Sequence, residues 1–208
     1  MSLPRFPIRR DPNEASFARN ERGATIIEFV IVFPMLIWAF LGIFLFWDVY
    51  RGINTAQKAS FIVADALSRT SAPLTTNYLN GMTDLLAYLA DADASRGEGV
   101  ILRVTSVKWD IANNRHAVDW SYTEDTTLLK LSNPLPQEIA DQIPTLTPFE
   151  TIILVETEIE YVPPFLGGNV GGANRFYTLG LGPKTFNEFV VIRPRFIPKV
   201  CLQGTPCT

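Results

Sequence analysis

The sequence predicts an α+β protein: one long N-terminal helix, then a domain with a short helix and an antiparallel β-sheet. An apolar run, Ala24–Trp47, marks the long helix, and Glu28 is its one charged residue. From Val100 onward the apolar residues recur with a period of two, which is typical of strands. A helix that covers one face of a sheet is a common α+β arrangement.

Four segments follow from these patterns. Residues 1–23 form a leader in which arginine exceeds the acidic residues, and this excess indicates the cytoplasmic side of a membrane. Residues 24–48 form a transmembrane helix, and residues 49–72 continue that helix beyond the membrane. Residues 73–208 form the α+β domain on the periplasmic or extracellular side.

The apolar run is long enough to cross a membrane. At about 1.5 Å per residue it makes a helix of roughly 36 Å, whereas the core of a bilayer is about 30 Å thick. A secretory signal has a shorter apolar core of about 7–15 residues and a small-residue cleavage site after it. We therefore expect the helix to be retained. An uncleaved signal anchor accounts for the same length and orientation.

Beyond the membrane the helix is expected to have two different faces and to end near Ser71–Pro73. One face is charged, and the opposite face carries small and apolar residues that pack on a sheet: Ile53, Ala56, Ser60, Val63, Ala64 and Leu67. Thr75 or Thr76 is expected to cap a second helix, which extends to about Leu89.

The strands are expected at Val100–Trp109, Ala117–Tyr122, Phe149–Val162 and Phe186–Phe196. In the third strand three glutamates share one face, which we expect to be solvated: Glu156, Glu158 and Glu160. The Pro-rich segment 133–148 is expected to contain one helical turn.

Composition and missing motifs argue against several functions. A net charge of −3 and a pI near 5.2 lack the basic surplus of a nucleic-acid binder. His116 is the one histidine of the sequence, Asp119 lies nearby, and no Gly-x-Ser-x-Gly elbow is present. No Gly-Lys-Ser/Thr phosphate loop is present either. We expect no enzyme, cofactor, metal site or small-molecule substrate, and we expect His116 in an exposed hairpin loop.

The two cysteines, Cys201 and Cys207, lie close together near the end of the sequence. In an exported domain they are expected to form a disulfide, with Gly204 and Pro206 supplying the turn. So small a ring stabilises the fold by only about 2 kcal/mol in the loop-entropy account. Two unpaired thiols are the alternative.

A short motif stands where the leader meets the apolar run. It reads Glu21-Arg22-Gly23-Ala24, then Glu28-Phe29, then Val32-Phe33-Pro34. A basic leader, a glycine and a hydrophobic helix with glutamate at its fifth position together resemble a type IV prepilin processing site. The fuller string is similar to the TadE-like minor pilins (pseudopilins) of tight-adherence, or Flp-type, pili. The resemblance implies cleavage between Gly23 and Ala24 by a prepilin peptidase, with Glu28 and Phe29 as further residues of the processing motif.

Glu28 lies one helical turn after Ala24, so the two positions share a helix face. Cleavage would give Ala24 a positive α-amine, which the Glu28 carboxylate neutralises in the same chain or in a neighbouring subunit. The spacing permits either pairing, and the family resemblance implies the pairing between subunits. The alternative is that the Glu28 side chain snorkels to the membrane surface, where its carboxylate is solvated and has no function. Pro34 removes a backbone donor and is expected to kink the helix.

The resemblance implies a pilin-like domain and a non-enzymatic minor pilin that aids pilus initiation, assembly or adhesion. Implied partners are the inner membrane, the prepilin peptidase, other pilins or pseudopilins, and the inner-membrane assembly platform. The chain would cross the bacterial inner membrane once, with its C-terminal domain in the periplasm or carried into an extracellular pilus. One alternative is a pseudopilin of a type II-like secretion system. Another is a signal-anchored periplasmic ligand-binding domain whose cleft is lined by Gly-rich Leu166–Gly172.

Overall fold

The computed structural model describes residues 22–163 and 183–206. In chain order its elements are α1 (Arg22–Ser68), α2 (Thr76–Ala90), a 3₁₀ turn (Ala94–Arg96), β1 (Val100–Asp110), β2 (Arg115–Thr123), α3 (Gln137–Ala140), β3 (Thr151–Tyr161) and β4 (Lys184–Ile192). A long apolar helix followed by an antiparallel sheet and short helices confirms the predicted α+β class. The chain divides into two compact units between Trp47 and Asp48, and α1 contributes to both.

The first unit contains the apolar part of α1. The side chains from Ile26 to Phe44 are exposed. By length and composition α1 is able to cross a membrane once. Pro34 lies inside the helix. Just before it the rings of Phe29 and Phe33 stack, with centroids 5.0 Å apart.

The second unit begins with the rest of α1, which has the two faces that the sequence predicts. Its small and apolar face is buried at Ala56, Ala59, Ser60, Val63, Ala64 and Leu67. These residues form one core with the inward side chains of β1 and β3, including Val104 and Val155. Within this core the hydroxyls of Ser60 and Thr157 are hydrogen-bonded at 2.7 Å. Small side chains allow the helix to approach the sheet closely, and burial of each Val or Leu stabilises by about 1.5–3 kcal/mol.

A short linker joins α1 to α2. The predicted cap is confirmed: the Thr75 hydroxyl accepts a hydrogen bond from the Tyr78 backbone N–H at 3.1 Å. α2 ends at Ala90, and its C-cap residue Asp91 adopts the left-handed conformation with φ of 58°. Leu79 and Leu86 are the buried residues of α2, so this helix packs through one apolar stripe.

The described strands form one antiparallel sheet in the order β2-β1-β3-β4. The predicted β1–β2 hairpin is confirmed, with a bulge between Ser106 and Val107. β4 ends at Ile192 rather than at the predicted Phe196. Pro194 has no N–H for a ladder, and the Arg195 N–H donates instead to the Ser68 carbonyl at 2.9 Å.

The outer face of the sheet, away from α1, is only partly solvated. A second core lies there and is covered by the Pro-rich segment with α3: Val107, Val118, Leu135, Ile143, Leu146, Ile152 and Leu154. The prediction of a solvated glutamate face is therefore wrong for Glu156, whose side chain is 16% exposed and pairs with Arg103. The covering segment belongs to the connection between β2 and β3, and strand alternation alone does not indicate what packs on a face of the sheet.

The segment after β4 is held against the domain by backbone hydrogen bonds. Leu74 donates to the Cys201 carbonyl, and Gln203 donates to the Leu74 carbonyl, both at 2.8 Å. The Trp120 indole N–H donates to the Val200 carbonyl at 2.9 Å. Cys207 lies outside the described residues, so the Cys201–Cys207 disulfide stays a prediction. The leader residues 1–21 and the Gly-rich loop 166–172 also lie outside them.

Candidate functional site

The predicted processing residues lie at the start of α1. Gly23, Ala24, Glu28 and Phe29 all belong to its first eight residues. Glu28 and Phe29 are exposed, and Glu28 forms no salt bridge with the side chains that the structure describes, those of residues 26–163 and 183–206. An unpaired carboxylate on an apolar helix surface is costly in a membrane unless a partner neutralises it. The Glu28 carboxylate is therefore accessible on the helix surface. Its pairing with the α-amine of Ala24 stays a prediction.

A small cavity lies at the start of the second unit. It has a volume of about 120 Å³ and is lined by α1, the loop before β1, and the adjacent ends of β3 and β4. The Tyr161 hydroxyl donates a hydrogen bond to the Asp48 carboxylate. Burial, together with this bond and the negative charge of Asp48, raises the pKa of Tyr161 far above its ordinary value. Tyr161 therefore stays a neutral donor.

Gly52 allows this close packing. The rings of Tyr161 and Phe186 stack with centroids 5.7 Å apart. A Cβ at Gly52 would stand 3.3 Å from an atom of each ring. The glycine therefore lets α1 approach the ends of β3 and β4 more closely than any other residue would.

Glu98 ties the loop before β1 to the end of β3. Its buried carboxylate accepts hydrogen bonds from Asp93 N–H at 2.9 Å, Arg96 Nη2 at 2.9 Å and Val162 N–H at 3.1 Å. Hydrogen bonds from the Ser95 side chain and from the Ser95 backbone N–H lower the pKa of the Asp93 carboxyl. The sequence indicated only a polar loop here, and it carried no signal that Glu98 is buried.

His116 and Asp119 have different partners. His116 is half-buried at the start of β2, and its ring meets the Trp109 ring edge-on with centroids 5.2 Å apart. The prediction of an exposed loop histidine is therefore wrong, because the hairpin ladder begins at Arg115. Asp119 contacts Lys108 at 3.1 Å and Lys199 at 3.0 Å. In the described part of the chain, no cluster of three or more His, Cys, Asp or Glu is placed to hold a metal.

Comparisons with protein-family models, with curated proteins and with solved structures find no match to this chain.

Proposed function

We propose that this chain is a minor pilin or pseudopilin of a tight-adherence pilus system, similar to the TadE-like proteins. One observation carries the proposal: α1 runs without a break from the processing-like motif at Gly23 to Ser68. The same helix offers an apolar surface long enough for a bilayer and then the buried face of a folded domain. A continuous helix with both roles suits a subunit that is inserted in a membrane and later assembled through its helix.

The charge pattern of α1 supports the same function. After cleavage at Gly23 the new α-amine of Ala24 would lie one turn from the Glu28 carboxylate. In apolar surroundings this pair has a large electrostatic interaction, so it is able to fix the register between neighbouring subunits. The partners would then be a prepilin peptidase, other pilins or pseudopilins and an inner-membrane assembly platform.

In this proposal the protein is no enzyme and needs no cofactor, nucleic acid or small-molecule substrate. It crosses the bacterial inner membrane once, with the N-terminus in the cytoplasm and the α+β domain in the periplasm. The engagement of Glu98, Arg96 and Asp119 in bonds that hold loops and strands together supports a structural role for these charges.

The test is the N-terminal mass of the protein purified from its native membrane, for wild type and for Gly23→Ala. We expect the wild-type chain to begin at Ala24 and the variant to keep its leader. Gly42→Ala is the matched control, because Gly42 lies in the same helix and a Cβ there meets no other described part of the chain within 4 Å, its own helix backbone aside. An intact leader on the wild type, in cells that contain the peptidase, would refute the proposal and favour a signal-anchored binding domain.

A further inference from the structure

Two stripes of opposite charge run along the solvent side of the helices of the second unit. The stripe on α1 is basic, and its positions recur every three or four residues: Arg51, Thr55, Lys58, Ile62, Asp65 and Arg69. The stripe on α2 and its C-cap has the same spacing and is acidic: Asn77, Gly81, Asp84, Tyr88 and Asp91. α2 contains no lysine or arginine. A protein with a net charge of −3 thus carries a basic stripe and an acidic stripe on helices that share one core.

Most of the charges in the two stripes have no counter-ion among the side chains that the structure describes. Four of them form no salt bridge there: Arg51, Lys58, Asp84 and Asp91. Within the basic stripe, Asp65 is shared by Arg69 and Arg195, so its negative charge is already neutralised. The basic stripe therefore presents a surplus of positive charge, and the acidic stripe presents carboxylates that can accept a partner.

α1 and α2 run antiparallel, so their positions correspond along the helix direction. At one end Arg51 and Asp91 line the same small cavity. At the other end the hydroxyls of Thr70 and Tyr78 are 3.5 Å apart. Arg51 and Asp91 therefore lie at the same level of the two helices.

The next charge of each stripe is also at a common level. Lys58 lies about two turns after Arg51, and Asp84 lies about two turns before Asp91, so each pair is separated by about 10.5 Å. A two-fold axis parallel to the helices keeps each level and places α1 of one copy on α2 of the other. Asp91 of a second copy then comes opposite Arg51, and its Asp84 comes opposite Lys58.

The same operation matches the shapes of the two stripes. Tyr88, which is 83% exposed, lies between the two aspartates of the acidic stripe. Thr55 lies between the two cations of the basic stripe, so the large ring comes opposite a small side chain. Tyrosine is a preferred residue at protein interfaces, because it buries a large area at a low cost in conformational entropy. An axis parallel to α1 also keeps both copies pointing the same way, which suits two chains anchored in one membrane.

The charge pattern identifies the kind of partner. An anionic bilayer surface would be repelled by the acidic stripe, and the apolar interior of a membrane would accommodate neither stripe. A different protein would have to carry the same two stripes at the same levels. A second copy of this chain carries both.

We propose that this helix surface is the contact between two copies of the chain, with the basic stripe of each copy on the acidic stripe of the other. A two-fold dimer makes every contact twice, which matters because a single exposed ion pair is weak. The dimer goes beyond the proposed pilin function and suits an anchored periplasmic domain equally. Cleavage after Gly23 does not depend on it, so either proposal can fail while the other stands.

Charge reversal tests the contact in cells that express two differently tagged full-length chains. Wild type is expected to co-purify with wild type in detergent. Lys58→Glu places acid against acid in its own dimer, and Asp84→Lys places lysine against lysine. We expect each variant to lose self-association at least about tenfold, because like charges face each other twice. When the two variants are expressed together, opposite charges meet again and co-purification should return.

Recovery in the mixed pair cannot arise from ion pairs within one chain, and it shows that both variants fold. Glu138→Lys reverses a charge at an exposed position of α3 and is the control, which should keep wild-type self-association. Wild-type chains that do not associate would overturn the proposal, as would a Lys58→Glu chain that associates as well as wild type. A mixed pair that stays apart, although each variant unfolds at the wild-type denaturant midpoint, would do the same.

Photo-crosslinking tests the contact without changing a charge. p-Benzoylphenylalanine replaces Tyr88, and we expect an adduct between two copies that maps to α1 around Thr55. The control is the same replacement at Phe149, which is 88% exposed and belongs to neither stripe. An adduct of position 88 only to lipid or to a different protein, or no adduct, would overturn the proposal.

Discussion

Arg103 of β1 and Glu156 of β3 lie opposite each other on the sheet and form a bidentate ion pair. The guanidinium donates from Nε and Nη2 to the two carboxylate oxygens, at 2.6 Å each, and from Nη1 to the Leu129 carbonyl at 2.7 Å. The side chains are only 10% and 16% exposed. The pair therefore fastens the segment after β2 onto the outer face of the sheet.

We expect Glu156→Gln to lower the free energy of unfolding by about 3 kcal/mol, because it leaves the Arg103 charge buried without its counter-ion. Chemical denaturation of the full-length protein in detergent measures this change. The double variant Arg103→Met/Glu156→Leu is expected to recover most of the loss, since it removes both buried charges.

The control for this prediction is Arg193→Ala, whose ion pair with Glu150 involves a guanidinium that is 60% exposed. Exposed pairs contribute below about 1 kcal/mol. Equal losses in Glu156→Gln and Arg193→Ala would contradict the role given to the buried pair.

Gly52 and Gly81 form a matched pair of helical glycines. A Cβ at Gly52 meets the rings of Tyr161 and Phe186 at 3.3 Å, whereas a Cβ at Gly81 meets nothing within 4 Å. Alanine at Gly81 is expected to stabilise the protein by about 0.5–1 kcal/mol through helix propensity. Alanine at Gly52 gains the same helix propensity, but its methyl group crowds the two rings. This crowding costs about 1–3 kcal/mol, so we expect no net stabilisation. Thermal unfolding midpoints that rise equally for both variants would show that the helix has room at Gly52.

Glu150 is expected to make stability depend on pH. Hydrogen bonds from the Thr147 N–H and hydroxyl, with the nearby Arg193 charge, lower the pKa of the Glu150 carboxyl in the folded protein. As the pH falls, the Glu150 carboxyl is therefore protonated at a higher pH in the unfolded chain than in the folded protein. The stabilisation is complete above the ordinary pKa of glutamate, about 4.3, and is lost as the pH falls through the folded value.

Wild type should thus be more stable than Glu150→Gln at pH 7, and the difference should shrink steadily below about pH 5. Denaturation midpoints at several pH values measure it. Glu138→Gln, at an exposed position of α3, is the control and should show no such trend. A difference that stays constant down to pH 3 would exclude this linkage.

Glu28→Gln tests the charge pair of the proposed pilin function. We expect the mature chain still to begin at Ala24, while the amount that co-purifies with its pilin partners falls about tenfold. A tenfold change corresponds to about 1.4 kcal/mol, which is modest for a charge pair in apolar surroundings. Glu138→Gln, at an exposed position of α3, is again the control. Unchanged co-purification would contradict the charge pair and favour a Glu28 side chain that is solvated at the membrane surface.

The sequence by itself determined the features that depend on near neighbours. The apolar run and the 3.6-residue period gave α1 and its buried face at Val63 and Leu67, since residues one turn apart share a helix side. Thr75 identified the start of α2, because a cap bonds to an N–H only three residues away. The alternation after Val100 gave the β1–β2 hairpin for the same local reason.

Only the tertiary structure decided the contacts that join distant parts of the chain. Glu156 pairs with Arg103 across 53 residues of sequence, and Tyr161 reaches Asp48 across 113. Strand alternation assigns a side chain to a face of the sheet but does not indicate what covers that face, so it does not predict the second core. The burial of Glu98 likewise depends on contacts with distant residues such as Val162. The sequence pattern predicts a strand that starts at Phe149, whereas this residue lies in an exposed turn with a φ of 74°, which the bonds of Glu150 to Thr147 and Arg193 help to fix.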